Sequence, residues 1–82
     1  MMGLVILNHN MELGTRIVTW LRLRGMTQRK LAKLVGVSGG AVTSWVKGET
    51  SPTQKNLLAI ADALGLSLAE FFGAPPVKTI AA

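Results

Sequence analysis

Between Gln28 and Lys47 the chain runs QRKLAKLVGVSGGAVTSWVK, two stretches of helical periodicity with a single glycine, Gly36, at their junction. Leu31 and Val35 stand four apart and share one helix face, and the small Ala32 lies beside them. Gly36 takes a positive φ at no steric cost, so it stops the first stretch and reverses the chain within a few residues. Ser38 then offers an oxygen to cap the second stretch, whose buried side is Val42 and Trp45. A connection this short forces the two helices to cross steeply, with Ala32 small enough to let them approach. On this spacing Trp45 is core, because it follows Val42 by three positions.

The same punctuation organises the rest. Gly25, Gly36, Gly48, Gly65 and Gly73 each follow a helix-like segment. A first helix is expected to begin near Asn10, with Glu12 in its first turn and Leu13, Ile17, Trp20 and Leu21 as its apolar stripe. Trp20 reads either as core or as a partly exposed interface residue. Thr27 caps the second helix and Ser38 the third. Pro52-Thr53 opens a fourth, with Leu57, Leu58, Ile60, Ala61 and Leu64 facing inward. Ser67 and Glu70 form a capping box for a short fifth helix, Leu68 to Phe72, with Leu66 and Phe71 as its hydrophobic staple. The expected fold is all-α. Residues 1–9 read as an arm, 10–73 as one compact five-helix domain, and 74–82 as a tail or the start of a linker. Gly3 to Leu7 and Val77 to Ile80 suit extended structure, so a small β-ribbon joining the termini, a linker and an extra helical turn are all open.

Eighty-two residues allow one modest core. With no cysteine there is neither a disulfide framework nor a thiolate metal site. Apolar runs such as Leu4 to Leu7 are too short to span a bilayer or serve as a signal-peptide core, so a soluble, cytoplasmic protein without a membrane partner is expected. His9 stands alone, and no nucleophile–base pair, paired carboxylates or phosphate-cradling glycine loop is spaced for catalysis. The reading is therefore not an enzyme, with no cofactor, no metal and no small-molecule ligand. Nine Lys/Arg against four Asp/Glu give a net charge of +5, which favours a polyanion. Placement says more than the total: Arg29, Lys30 and Lys33 cluster on the second helix, Lys47 ends the third and Lys55 opens the fourth. Mean hydropathy is nevertheless positive, so some apolar surface calls for a partner.

Three segments carry a family resemblance: GMTQRKLAKLVGVS, the SW..GE run from Ser44 to Glu49, and SPTQKNLLAIADALGLSLAEFF from Ser51 to Phe72. Across Leu13 to Phe72 the chain resembles the Cro/CI-type (XRE-like) helix-turn-helix domain of lambdoid phage repressors and many small bacterial regulators. The resemblance implies a lambda-repressor-like fold and a sequence-specific transcriptional regulator, of phage or prophage repressor kind, acting by operator occupancy. It also implies a homodimer on pseudo-palindromic double-stranded DNA. The residues matching the family's base-reading positions are Ser38, Gly39, Gly40, Thr43 and Ser44, at the start of the helix that enters the major groove. Gln28 matches the family's glutamine that contacts a phosphate and orients a neighbouring side chain. Thr27, Arg29, Lys47, Thr53 and Lys55 complete the expected phosphate contacts, helped at the helix amino ends by free amides.

Two departures stand out. Adjacent glycines at 39 and 40 supply no hydrogen-bonding side chain, and each costs a helix interior up to about 1 kcal/mol relative to alanine. Either the backbone lies close against the groove there, or readout rests on Thr43, Ser44 and the methyl of Ala41, or DNA shape supplies part of the discrimination. Many family members also pair an arginine on the first helix with a glutamate on the third, where this chain has Leu21 and Val46. An apolar pair replaces a buried ion pair without loss of stability. Two rival readings fit the same residues: a protein-interaction module with a degenerate recognition helix, and an antitoxin-like regulator whose apolar surface covers a toxin.

Overall fold

In the computed structural model, residues 12–73 are described, and they form five helices with no strand among them. These are α1 (Leu13–Arg24), α2 (Gln28–Val35), α3 (Gly39–Lys47), α4 (Gln54–Ala63) and α5 (Leu68–Phe72). No helix among them is long and apolar enough to cross a membrane. The arm at 1–9, Asn10, His9 and both halves of the proposed terminal ribbon lie outside the described residues.

Caps set the starts of four helices. Thr27, Ser38, Thr53 and Ser67 each accept a hydrogen bond from the backbone N–H three residues on: Lys30 at 3.0 Å, and Ala41, Asn56 and Glu70 at 3.1 Å. Glu70 Oε1 accepts in return from the Ser67 N–H at 2.8 Å, closing the capping box. Caps of this kind contribute about 0.5–2 kcal/mol apiece. At α1 the expectation needs correcting. Glu12 is the N-cap residue and lies before the first turn, and its side chain makes no capping bond. Leu13 is the first α1 residue packed on the core, so burial rather than cap chemistry marks where this helix begins.

Ile17, Trp20 and Leu21 of α1, Leu31 and Ala32 of α2, Val42 and Trp45 of α3, Ile60 and Ala61 of α4, Leu64 and Phe71 form one buried cluster. Both tryptophans belong to it, which settles Trp20 as core. Leu21 is buried and Val46 packs against the cluster, so apolar packing occupies the positions of the family's ion pair. Leu58 does not face inward: it is half exposed. Leu57, Ile60, Ala61 and Leu64 already fill the i, i+3, i+4, i+7 stripe of α4, and Leu58 falls about 100° to one side of Leu57.

The turn between α2 and α3 works as its sequence demands. Gly36 sits at φ 86°, and the N–H groups of Gly36 and Val37 both reach the carbonyl of Ala32, at 2.8 and 3.0 Å. A second glycine has a different reason. A Cβ on Gly14 would lie 2.2 Å from the Val46 carbonyl oxygen and 2.8 Å from its carbon. Only a residue without a side chain lets α1 rest on the carboxyl end of α3.

Three α1 side chains at four-residue spacing bind the far end of the chain. Buried Arg16 donates from Nη1 to the carbonyls of Phe71 at 3.1 Å and Gly73 at 2.7 Å. Trp20 Nε1 donates to the same Phe71 carbonyl at 3.1 Å, and Arg24 Nε to that of Leu64 at 2.9 Å. The Arg24 guanidinium also lies 5.4 Å from the centre of the Trp20 ring. The last carbonyls of a helix have no partner within it and carry its negative end, so cations placed there satisfy both needs.

Candidate nucleic-acid interface

The α2–α3 crossing leaves an open cleft of about 600 Å³, lined by Gln28, Arg29, Ala32, Lys33, Val37, Gly39 and Thr43. Ala32 and Val37 are its apolar lining; Gln28, Arg29, Lys33 and Thr43 are its polar one. Gln28 is half-buried at the amino end of α2, and its Oε1 accepts from Thr43 Oγ1 at 3.4 Å. Arg29 and Lys33 are both exposed, one helical turn apart. The cleft thus combines two cations and an amide along α2 with a hydroxyl from the middle of α3, an arrangement suited to an anionic, hydrogen-bonding partner.

The expected site residues divide around it. Gln28, Arg29, Gly39 and Thr43 meet in the cleft. Ser38, the cap of α3, and Gly40 in its first turn are exposed beside it, and Ser44 is half-buried one position after Thr43. Thr27 lies at the cap preceding Gln28, its oxygen already accepting from Lys30. Lys47, Thr53 and Lys55 are exposed but line no part of the cleft. Ala32, Lys33 and Val37 do line it and were not among the expected site residues. The signal for Lys33 was available, since it follows Arg29 by four positions and so shares its helix face.

A family model described as "Helix-turn-helix" matches residues 18–71. The chain belongs to the helix-turn-helix family. The repressor protein C2 of Salmonella phage P22 is 40% identical over 55 residues, which are 67% of this chain and 26% of that protein. The solution structure of the DNA-binding domain of the P22 C2 repressor superimposes with a TM-score of 0.73 at 33% identity, covering 84% of this chain and 91% of that one. A crystal structure of the P22 repressor with a synthetic operator gives a TM-score of 0.68 at 35% identity, over 76% and 94% of the two chains. The chain spans between a quarter and somewhat over half of the length of the curated relatives it matches.

Within this helix-turn-helix, the two glycines that open α3 have no intramolecular reason to be glycine. A Cβ on Gly39 would meet nothing within 4 Å, and one on Gly40 would only touch Ser38 Oγ at 3.9 Å. Gly40→Ala is therefore expected to stabilise the folded chain by up to about 1 kcal/mol, read as a higher midpoint in thermal or denaturant unfolding. A lower midpoint would mean that α3 begins differently from its described course.

Proposed function

We propose that this chain is a sequence-specific double-stranded DNA-binding module of a transcriptional regulator, a phage or prophage repressor that acts by occupying its operator. The observation that carries this is the α2–α3 cleft, where Gln28, Arg29, Lys33 and Thr43 converge beside an α3 amino end that carries no side chain at Gly39 or Gly40. The likeness to a P22 repressor bound to a synthetic operator supports the same reading. On this account the first turns of α3 enter the major groove. Ser38, Thr43 and Ser44 face base edges there, Gly39 and Gly40 let the backbone come close, and Thr27, Gln28, Arg29, Lys47, Thr53 and Lys55 hold phosphates. Lys33 joins the phosphate set, because it lines the cleft with Arg29. Selection of bound duplexes from a random pool tests this: recovery of a common sequence is expected, and recovery of no duplex above background contradicts it.

The acting form on this reading is a homodimer on a pseudo-palindromic operator. Its support is the large apolar side chains left exposed, Leu58 (50%) on α4 and Phe72 (48%) on α5, alongside Leu34 (50%) on α2 and Leu23 (43%) on α1. Leu66 and Leu68, by contrast, are packed partly against the core and offer less. Two recognition helices should then lie about 34 Å apart, one turn of B-DNA. Sedimentation is expected to show a dimer on the selected site and weaker assembly for Leu58→Asp. A monomer both free and bound, or a site without two-fold symmetry, contradicts the dimer.

A further inference from the structure

Arg16 is buried, yet both acceptors of its Nη1 are backbone carbonyls: Phe71 at 3.1 Å and Gly73 at 2.7 Å. Those residues stand on either side of Phe72, so one guanidinium brackets it. Trp20 Nε1 holds the Phe71 carbonyl as well, at 3.1 Å. The Phe72 ring is fixed in turn. The Arg16 guanidinium carbon lies 5.8 Å from its centre, and the fully buried Phe71 ring meets it edge to face at 5.0 Å. Phe72 nevertheless remains 48% exposed. Leu23, Leu34 and Leu58 are comparably exposed, but as aliphatic side chains they have no ring for a cation or an aromatic edge to hold. A buried cation contributes little net stability, because desolvation offsets what its bonds return. What Arg16 does contribute is order at Phe72.

We propose that Arg16 is a positioning residue for self-association: it presents Phe72 as a preformed aromatic anchor that seats over Ala69 of a second copy of this chain. The inference rests on the homodimer reading and names its central contact. Ala69 is exposed, lies one turn before Phe72 on the same face of α5, and offers only a methyl group. Gly73, next after Phe72, has no room for a side chain, since a Cβ there would lie 3.2 Å from the Ala69 carbonyl oxygen. The face therefore carries one knob beside one hollow. Such a surface is self-complementary across a two-fold axis, where each Phe72 fills the hollow of the other copy. An unrelated partner would need a matching pair of its own; a second copy has one by construction. Holding the ring before the encounter removes the ordering cost that an exposed side chain otherwise brings to an interface.

The test measures self-association of the full 82-residue chain by sedimentation, free and on the selected duplex, beside its affinity for a duplex carrying one half-site. Phe72→Ala is expected to raise the dimer dissociation constant roughly 30-fold or more, the loss of an interface anchor. Ala69→Leu separates a shaped contact from general stickiness. It adds apolar surface, yet by filling the hollow it should weaken the dimer about 10-fold. Arg16→Gln should weaken the dimer while keeping half-site affinity, and Arg16→Lys, which retains the charge and a donor, should recover part of the loss. Half-site affinity lost in step with dimerisation would make Arg16 a merely structural residue and overturn its positioning role. Should Arg16→Gln fail to fold, the two surface variants still decide the contact. A dimer unmoved by Phe72→Ala, or tightened by Ala69→Leu, overturns the inference while leaving the homodimer in place. A chain that is monomeric both free and on its duplex removes the homodimer reading and this inference together.

Discussion

Raising salt from about 50 to about 200 mM is expected to weaken duplex binding roughly 10³–10⁵-fold, if a dimer neutralises about 6–10 phosphates. The number follows from where the cations lie. Arg29 and Lys33 line the cleft, Lys47 ends α3 and Lys55 lies in the first turn of α4, all of them exposed. Two protomers with these four side chains fall within that range of phosphates. Exposed cations bind DNA chiefly by releasing its condensed counterions, and the logarithm of affinity then falls linearly with that of salt. Arg29→Gln in each protomer should reduce the slope by about 2, one for each contact removed from the dimer. The remaining basic side chains do not act alike: Arg16 and Arg24 hold carbonyls at helix ends, and Arg16 is buried. A flat salt response contradicts the assignment of Arg29, Lys33, Lys47 and Lys55 to phosphates.

The largest loss of stability from a single methyl group is expected at Gly14. Gly14→Ala places a carbon where the Val46 carbonyl oxygen already stands, 2.2 Å from the built Cβ, with the Trp45 oxygen at 3.0 Å. Those are backbone atoms of a packed helix, so relief requires α1 to withdraw from α3, and Ile17, Trp20 and Leu21 withdraw with it. Overpacking of this kind costs about 1–3 kcal/mol, and backbone resistance puts this case at the upper end. In a domain of this size that lowers the melting temperature by roughly 10–20 °C. Gly40→Ala, the same chemical change in open space, moves the midpoint the other way. Equal midpoints for the two variants would mean that the close approach of α1 to α3 is not as described.

What the sequence made legible was local. The caps at Thr27, Ser38 and Thr53, the Ser67–Glu70 box and the Gly36 turn each depend on residues a few positions apart, and all appear as expected. Trp45 was assignable to the core because it shares a helix face with Val42. Misses came where the deciding partner is distant. Nothing local in the sequence marks Arg16 as buried, because arginines seldom are and its acceptors lie 55 and 57 residues away. Gly14 has nothing nearby to mark it, because the backbone that excludes a side chain belongs to α3. Leu58 was expected to face inward with Leu57, Ile60, Ala61 and Leu64, yet those four already fill the buried stripe and leave it half exposed. In the cleft, Gln28 and Thr43 were each expected to touch DNA, but their contact with one another appears only once α2 and α3 cross.

Titrating the isotopically labelled protein with a duplex recovered by selection, and following each backbone amide by NMR, tests the central claim most directly. The account predicts that the largest shifts fall on Thr27 to Arg29, Lys33 and Ser38 to Ser44, around the α2–α3 cleft, with the amides of Arg16 to Trp20 in α1 nearly unmoved. Shifts concentrated instead around Leu58 and Phe72, with the cleft silent, would contradict it and favour a protein-interaction module that works through exposed apolar side chains such as these.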